Sequence, residues 1–179
     1  MSRSPDPSLP AGVTVRTLAP CSDRRGSLTE CFRQEWDLQE VAQLNLLRSV
    51  PGTLRGVHVH AHRADLILPI DGELLVGLRD ARVPAEPGVL LPLATGQLLT
   101  IPSGVAHGFL SVAPSVVLYG LSRHWDGTDE LACRWDDPAL GLPWPCGDPT
   151  VSERDHAGGT WSEVVAAWAA ATAVTAVAR

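Results

Sequence analysis

The chain has 179 residues, a formal charge of −6 and a pI near 5.4, which speaks against a nucleic-acid-binding protein, since that would carry a basic face. All 14 basic side chains are arginine, and the absence of lysine excludes Schiff-base chemistry, a pyridoxal phosphate anchor and a P-loop lysine. With 45% hydrophobic residues, 16 glycines and 15 prolines, the chain fits one domain with a sizeable core and many turns.

Met1 to Gly12 is Ser- and Pro-rich with no apolar stretch; residues 1–12 are expected to form a disordered lead-in rather than a signal peptide or anchor. Val13–Leu18 and Ser27–Phe32 read as a hairpin around the turn Ser22 to Gly26. Trp36 to Ala42 reads as a short helical or irregular piece, followed by a strand from Gln43 to Ser49 and a turn at Pro51-Gly52. Short apolar runs then recur at Leu66–Ile70, Glu73–Leu78, Gly88–Leu91, Gln97–Ile101 and Val116–Leu121, separated by Gly, Pro or Asp. Strands this short and evenly spaced predict a mainly β domain, an antiparallel sandwich or barrel, over residues 13–156.

Beyond Trp135 the text becomes irregular, and Thr160-Trp161-Ser162-Glu163 then has the spacing of a capping box. A C-terminal helix is expected within residues 157–179, with Trp161, Val165 and Trp168 on the face that packs on the barrel. This tail is too short and too rich in Ala and Thr for a membrane span. Cys21, Cys31, Cys133 and Cys146 show no CxxC spacing and read as reduced, mostly buried thiols of a cytoplasmic protein.

The histidines carry the chemistry. Gly52, His58, His60, Asp65 and Gly72 form G-x5-H-x-H-x4-D-x6-G, and Gly96, Pro102, Gly104 and His107 form G-x5-P-x-G-x2-H. Residues i and i+2 on a strand share a face, so His58 and His60 project into one interior. His62, which continues the alternation, reads as solvent-facing or paired with an acid. The two segments resemble the paired motifs of the cupin superfamily, small jelly-roll β-barrels, with Asp65 where Glu is usual and Ser111 where Asn is usual. Many cupins bind a divalent metal at such positions, and His58, His60, Asp65 and His107 are adequate ligands by type.

A narrower resemblance runs over about residues 20–156. Arg25-Gly26 with Glu30, Gln43-x-Asn45 and Arg55-Gly56-Val57-His58 are followed by Asp80 with Arg82, Ile101 to Phe109, and Tyr119. Trp135-Asp136-Asp137-Pro138, Gly141 to Pro145 and Ser152-x-x-Asp155 complete the series. These collinear stretches resemble the dTDP-4-dehydrorhamnose 3,5-epimerase family, a metal-free branch of the cupins. The resemblance implies epimerisation of a dTDP-linked 4-keto-6-deoxyhexose at C3, C5 or both, in deoxysugar or antibiotic pathways, with no cofactor. It implies His58 as general base, Asp155 as its orienting partner, and Tyr119 as the acid on the opposite face. Arg55, His60 and His107 would line the pocket, and Arg25, Glu30, Gln43, Asn45 and Trp125 would hold the nucleotide. It also implies a cytoplasmic homodimer, with no membrane or nucleic-acid partner.

Those roles agree with elementary chemistry: removing a proton next to a ketone needs a positioned base and support for the charge that grows on oxygen. Two departures stand out. Asp65 occupies the position of the family's lysine, and His60 replaces a glutamine. Arg63, His60 or His107 could supply the missing positive charge, or a metal could. A related 3,4-ketoisomerase family also has an R-G-x-H-x-H segment and a run like Trp125-Asp126-x-x-Asp129-Glu130, and ranks second. A metal-dependent cupin, or a sugar-nucleotide-binding protein that has lost catalysis, is the reading from outside this chemistry.

Overall fold

The computed structural model describes residues 8–36 and 40–177. Among the described residues twelve strands precede two helices: β1 Thr14–Thr17, β2 Cys21–Asp23, β3 Gly26–Leu28, β4 Gln43–Ser49, β5 Leu54–Val59, β6 Asp65–Asp71, β7 Leu74–Asp80, β8 Val89–Leu93, β9 Gln97–Ile101, β10 Val105–Ser111, β11 Ser115–Leu121, β12 Leu131–Ala132, α1 Glu153–His156 and α2 Trp161–Val177. They build two five-stranded antiparallel sheets, β1-β9-β6-β11-β4 and β12-β5-β10-β7-β8, with β2-β3 as a separate small hairpin. The fold is mainly β, as the spacing predicts, but the two sheets face each other without closing into a hydrogen-bonded barrel.

One core lies between the sheets, where Ile67, Leu99 and Val117 of the first meet Val76, Leu78 and Phe109 of the second, each at most 3% exposed. A second cluster seals the outer face of the second sheet. There Val57, Val59 and Ala106 pack under Trp161 and Val164 of α2. This sheet is therefore covered on both faces, and β10 is buried along its whole length. In contrast β4, an edge strand, alternates: Gln43, Asn45 and Leu47 turn inward while Leu44 and Leu46 are exposed.

Several sequence expectations need correction. Val13–Leu18 does not pair with Ser27–Phe32: β1 pairs with β9, and the hairpin is the smaller β2-β3 unit. Of residues 1–12, 1–7 lie outside the described residues, while 8–12 form turns. Leu9 packs on the core and the carbonyl of Ala11 accepts from Arg82. Of the four cysteines, all unpaired, only Cys133 is buried. Part of the expected segment Trp36–Ala42 falls on residues 37–39, outside the described residues. The helix begins as read, with Thr160 and Glu163 closing a capping box (Thr160 N to Glu163 Oε2 2.8 Å) and Trp161, Val165 and Trp168 turned toward the sheet.

Gly56 fixes how closely β5 and β10 approach. Its φ is +107°, and a Cβ there would lie 2.7 Å from Gly108 Cα and 2.8 Å from the His107 carbonyl oxygen. Positive φ costs about 1–2 kcal/mol and overpacking against backbone about 1–3 kcal/mol. Gly56→Ala is therefore expected to lower unfolding free energy by about 2–5 kcal/mol in urea denaturation, and an unchanged midpoint would contradict this packing.

Candidate active site

The sheet register gathers the site. His58 of β5 and His107 of β10 are cross-strand partners; His60, two residues further along, lies with its ring centroid 5.2 Å from that of His107, the planes tilted by 57°. On the facing sheet Asp65 pairs with Leu121, and Tyr119 sits two residues before Leu121 on β11, so the Asp65 and Tyr119 side chains share the inner face. A cavity of about 690 Å³ opens between the sheets, lined among others by His58, His107, Tyr119, Arg63, Glu130 and Asp155.

His58 binds Asp155 through Nε2 (2.8 Å to Oδ1), leaving Nδ1 as the basic atom, 4.0 Å from Glu130 Oε2. Asp155 is delivered by α1: Ser152 caps this single turn, its hydroxyl accepting from the Asp155 amide at 3.1 Å. The second Asp155 oxygen accepts from the Gly56 amide at 3.4 Å. Burial opposes the charge on Asp155, yet the hydrogen bond with His58 holds its pKa below the usual range.

Behind this pair lies a second, deeper cluster. Asp65, fully buried, meets His107 Nε2 at 2.9 Å, His60 Nε2 at 3.0 Å and the Tyr119 hydroxyl, which donates to it. Its other oxygen accepts from Arg63 Nε at 3.2 Å. Burial works against the carboxylate, but contacts with His107 and His60 hold it well below the ordinary range. Burial and the adjacent Asp65 charge push Tyr119 well above an ordinary phenol. Arg63, with a side chain 3% exposed, reaches on to Glu130 Oε2 at 3.1 Å, and Arg154 closes the series, 2.7 Å from Glu130 Oε1 and 3.6 Å from Asp155. Five charges thus alternate in sign: Asp155, Arg154, Glu130, Arg63, Asp65.

Of the sequence candidates, His58, Asp155, Tyr119, Gln43, Asn45, Arg55, His107 and Trp125 all line the cavity. His60 lies behind its wall, 2% exposed, with Nδ1 donating to the Asp129 carbonyl at 2.6 Å. Arg25 and Glu30 do not line it; they are exposed and pair with Asp23 and Arg33 near the β2-β3 hairpin. The sequence reading missed Glu130 and Arg154 as site residues. Their signal was only the placement of Glu130 in the Trp125–Glu130 run and of Arg154 beside Asp155. His62 binds Asp129 through its backbone amide rather than its ring.

His60, Asp65 and His107 form a cluster whose donor types suit a divalent cation, and carbonyl contacts of Asp129 and Val105 at the two Nδ1 atoms resemble those around ligating histidines. The directions do not fit. Arg63 Nη2 lies 3.1 Å from His60 Nε2, and its Nε donates to Asp65. A divalent ion here would face this guanidinium, and a double and a single positive charge about 4 Å apart repel by about 8 kcal/mol at an effective dielectric of about 20. The cluster is built around an arginine, and no step is derived through a metal.

A family model described as dTDP-4-dehydrorhamnose 3,5-epimerase matches residues 9–163. A Neisseria gonorrhoeae protein of that name is 31% identical over 156 residues, covering 79% of this chain and 48% of the relative, so the chain spans about half that relative's length. The Bacillus subtilis spore coat polysaccharide biosynthesis protein SpsL is 34% identical over 143 residues, 74% of this chain and 95% of the relative. Among solved structures, the Legionella pneumophila dTDP-6-deoxy-D-glucose-3,5-epimerase, in complex with dTDP-4-keto-L-rhamnose, is 25% identical with a TM-score of 0.76, over 87% of this chain and 91% of that one.

Removing one member of a buried charge pair typically costs 3–5 kcal/mol because the other is left uncompensated. Asp65→Ala is expected to lower stability at pH 7 by about that amount. The unfolded chain binds the Asp65 proton before the folded one does, so the stability it contributes is present above about pH 4 and lost as pH falls through the lowered folded value. Urea midpoints followed from pH 7 to pH 2 should therefore fall less steeply below pH 4 in Asp65→Asn than in the parent; parallel curves would contradict the pairing.

Proposed function

This chain belongs to the dTDP-4-dehydrorhamnose 3,5-epimerase family, and on that premise we propose that it is an isomerase that epimerises a dTDP-linked 4-keto-6-deoxyhexose at C3, C5 or both. The observation that carries the reading is a carboxylate-bound histidine and a tyrosine supplied by opposite sheets to one cavity.

His58 Nδ1 removes the proton next to the ketone, and Asp155 at Nε2 fixes the ring and its tautomer. Asp155 and Glu130 flank the ring on its two nitrogen sides, so both stabilise the positive charge it gains. Tyr119, protonated at neutral pH because its pKa is pushed up, returns a proton from the other sheet, and inversion follows because the two groups address opposite faces of the sugar. As its hydroxyl turns from Asp65 to the substrate, His107 Nε2, 3.4 Å away, is placed to support the phenolate.

At the cavity mouth Arg55, Gln43, Asn45 and the half-exposed Trp125, whose amide donates to Gln43 at 2.9 Å, form the nucleotide-binding rim. Arginine suits the diphosphate and the indole the pyrimidine. Arg25 and Glu30 reach a nucleotide only across a homodimer, whose supporting feature is the edge strand β4 with its exposed Leu44 and Leu46. No helix among the described residues is long and apolar enough to cross a membrane; four unpaired cysteines accord with the cytoplasmic location this reading includes. One feature favours the 3,4-ketoisomerase as second reading: Glu130, from the run shared with that family, stands beside His58 as a further proton acceptor.

The test is ¹H NMR of dTDP-4-keto-6-deoxyglucose with the protein in D₂O. Epimerisation incorporates deuterium at C3 or C5 and leaves the ketone at C4, whereas ketoisomerisation moves it to C3. His58→Ala is expected to slow exchange by about 10²–10⁴-fold. Tyr119→Phe should still wash deuterium in, through His58, but with the configuration retained. A wild-type protein that binds dTDP and exchanges nothing would sink the catalytic reading.

A further inference from the structure

A proton leaves the carbon next to a ketone only as negative charge collects on the carbonyl oxygen, so the reaction proposed above needs a cation or strong donor aimed at that oxygen. Asp65 cannot serve: it is an acceptor, and it is already engaged by Arg63, His107, His60 and Tyr119. Arg55 lines the cavity but is tied toward β4, with Nε on Ser49 Oγ at 3.1 Å and Nη2 on the Arg48 carbonyl. Arg154 is half-exposed and spans Glu130 and Asp155.

Arg63 differs from both. Its Nε is held by Asp65 and its Nη2 by Glu130. Its Nη1 has no partner among the described residues. Nor does it belong to the sealed, unsatisfied atoms of the interior, which are Arg79 Nε, Trp144 Nε1 and Trp168 Nε1. Arg63 is part of the cavity wall. A guanidinium clamped on two of its three nitrogens, in a side chain 97% out of solvent and on the cavity wall, is a preorganised donor. It has no conformational freedom left to lose when charge develops.

Resting on the epimerase reading, we infer that Arg63 is a catalytic residue, the cation whose Nη1 donates to the substrate's C4 oxygen as the enolate forms. Asp65 is then a positioning residue that aims the guanidinium and holds the Tyr119 proton. The positive charge that Asp65 cannot supply is carried here two residues earlier, on the loop entering β6.

The D₂O exchange assay tests this with Arg63→Gln, Arg63→Lys and the double variant Arg63→Gln/Asp65→Lys, alongside calorimetric titration of dTDP. Loss of one such donor costs about 10²–10³ in kcat. Arg63→Gln is expected to lose that much in exchange rate at saturating substrate, with KM and the dTDP affinity within about threefold of the parent. Arg63→Lys should recover at least tenfold of the loss, and the double variant, which returns a cation to position 65, should recover rate as well. Because Arg63→Gln strips two buried carboxylates of a partner, Arg63→Gln/Asp65→Asn is measured beside it. It neutralises one of those two carboxylates, leaves Glu130 paired with Arg154, should melt above Arg63→Gln, and should show at least the same rate loss. A folded Arg63→Gln protein exchanging within threefold of the parent overturns the assignment. So does weakened dTDP binding with kcat intact, which would make Arg63 a binding residue only. One equivalent of divalent metal lost on Asp65→Asn also overturns it, since the metal would then supply the charge. A parent protein that binds dTDP without exchange fails at the epimerase reading itself, and the assignment falls with it.

Discussion

Arg63, set between Asp65 and Glu130, is the contact on which the site's geometry depends. Its charge is buried, and a buried charge is tolerable only with partners at hydrogen-bond distance. Those partners come from chain segments far apart: Asp65 begins β6 of one sheet, Glu130 precedes β12 of the other. Through Arg154 the same series of charges reaches α1 and Asp155. One guanidinium thus ties together the two sheets and the terminal turn that orients the His58 ring. The outer link is weaker, because Arg154 is half-exposed and screened; the inner one is sealed.

The sheet carrying the histidines supports this arrangement by being covered on both faces. Small residues are what allow it. Gly56 and Gly108 let β5 and β10 approach to backbone contact, and Gly77 makes room for the Trp144 ring lying on the outer face. With α2 and the 140–144 segment closing that outer face, the inward side chains of β5 and β10 lie between two packed layers. A histidine pair in such a place has little rotational choice, and so its nitrogens are set by the carbonyls and carboxylates they meet.

The fold was largely legible because apolar runs separated by Gly, Pro and Asp mark strands directly: Gln97–Ile101 coincides with β9, and Gln43–Ser49 with β4. Two of the strands that line the cavity lacked a clean apolar run. In β5 the text Leu54-Arg55-Gly56-Val57-His58-Val59 mixes charge, glycine and imidazole, and β10 places His107-Gly108 at its centre. Function had overwritten the pattern that signals a strand. The β1 pairing was misread because a local hairpin is the cheapest guess for adjacent runs, whereas the actual partner, β9, is about 80 residues away. His58, Tyr119 and Asp155 could be found from a resemblance; Glu130 and Arg154 could not, since an exposed-looking acid in a Gly-Thr-Asp loop becomes a buried ligand of Arg63 only once the sheets are assembled.

The lysine-free composition acquires a structural meaning at position 65. A lysine there would contribute a positive charge and nothing else. An aspartate contributes the opposite charge, and by itself would oppose an enolate. What makes it compatible with the proposed reaction is its pairing with an arginine two residues away, whose rigid fork can bind a carboxylate through one edge and present another N–H to the cavity. Lysine, a single flexible ammonium, cannot divide itself in that way. The same aspartate accepts from Tyr119, so the acid and the cation share one anchor. Coupling them has a consequence under the proposed mechanism: any movement of Asp65 would shift Arg63 and Tyr119 together, because both are held by that single carboxylate.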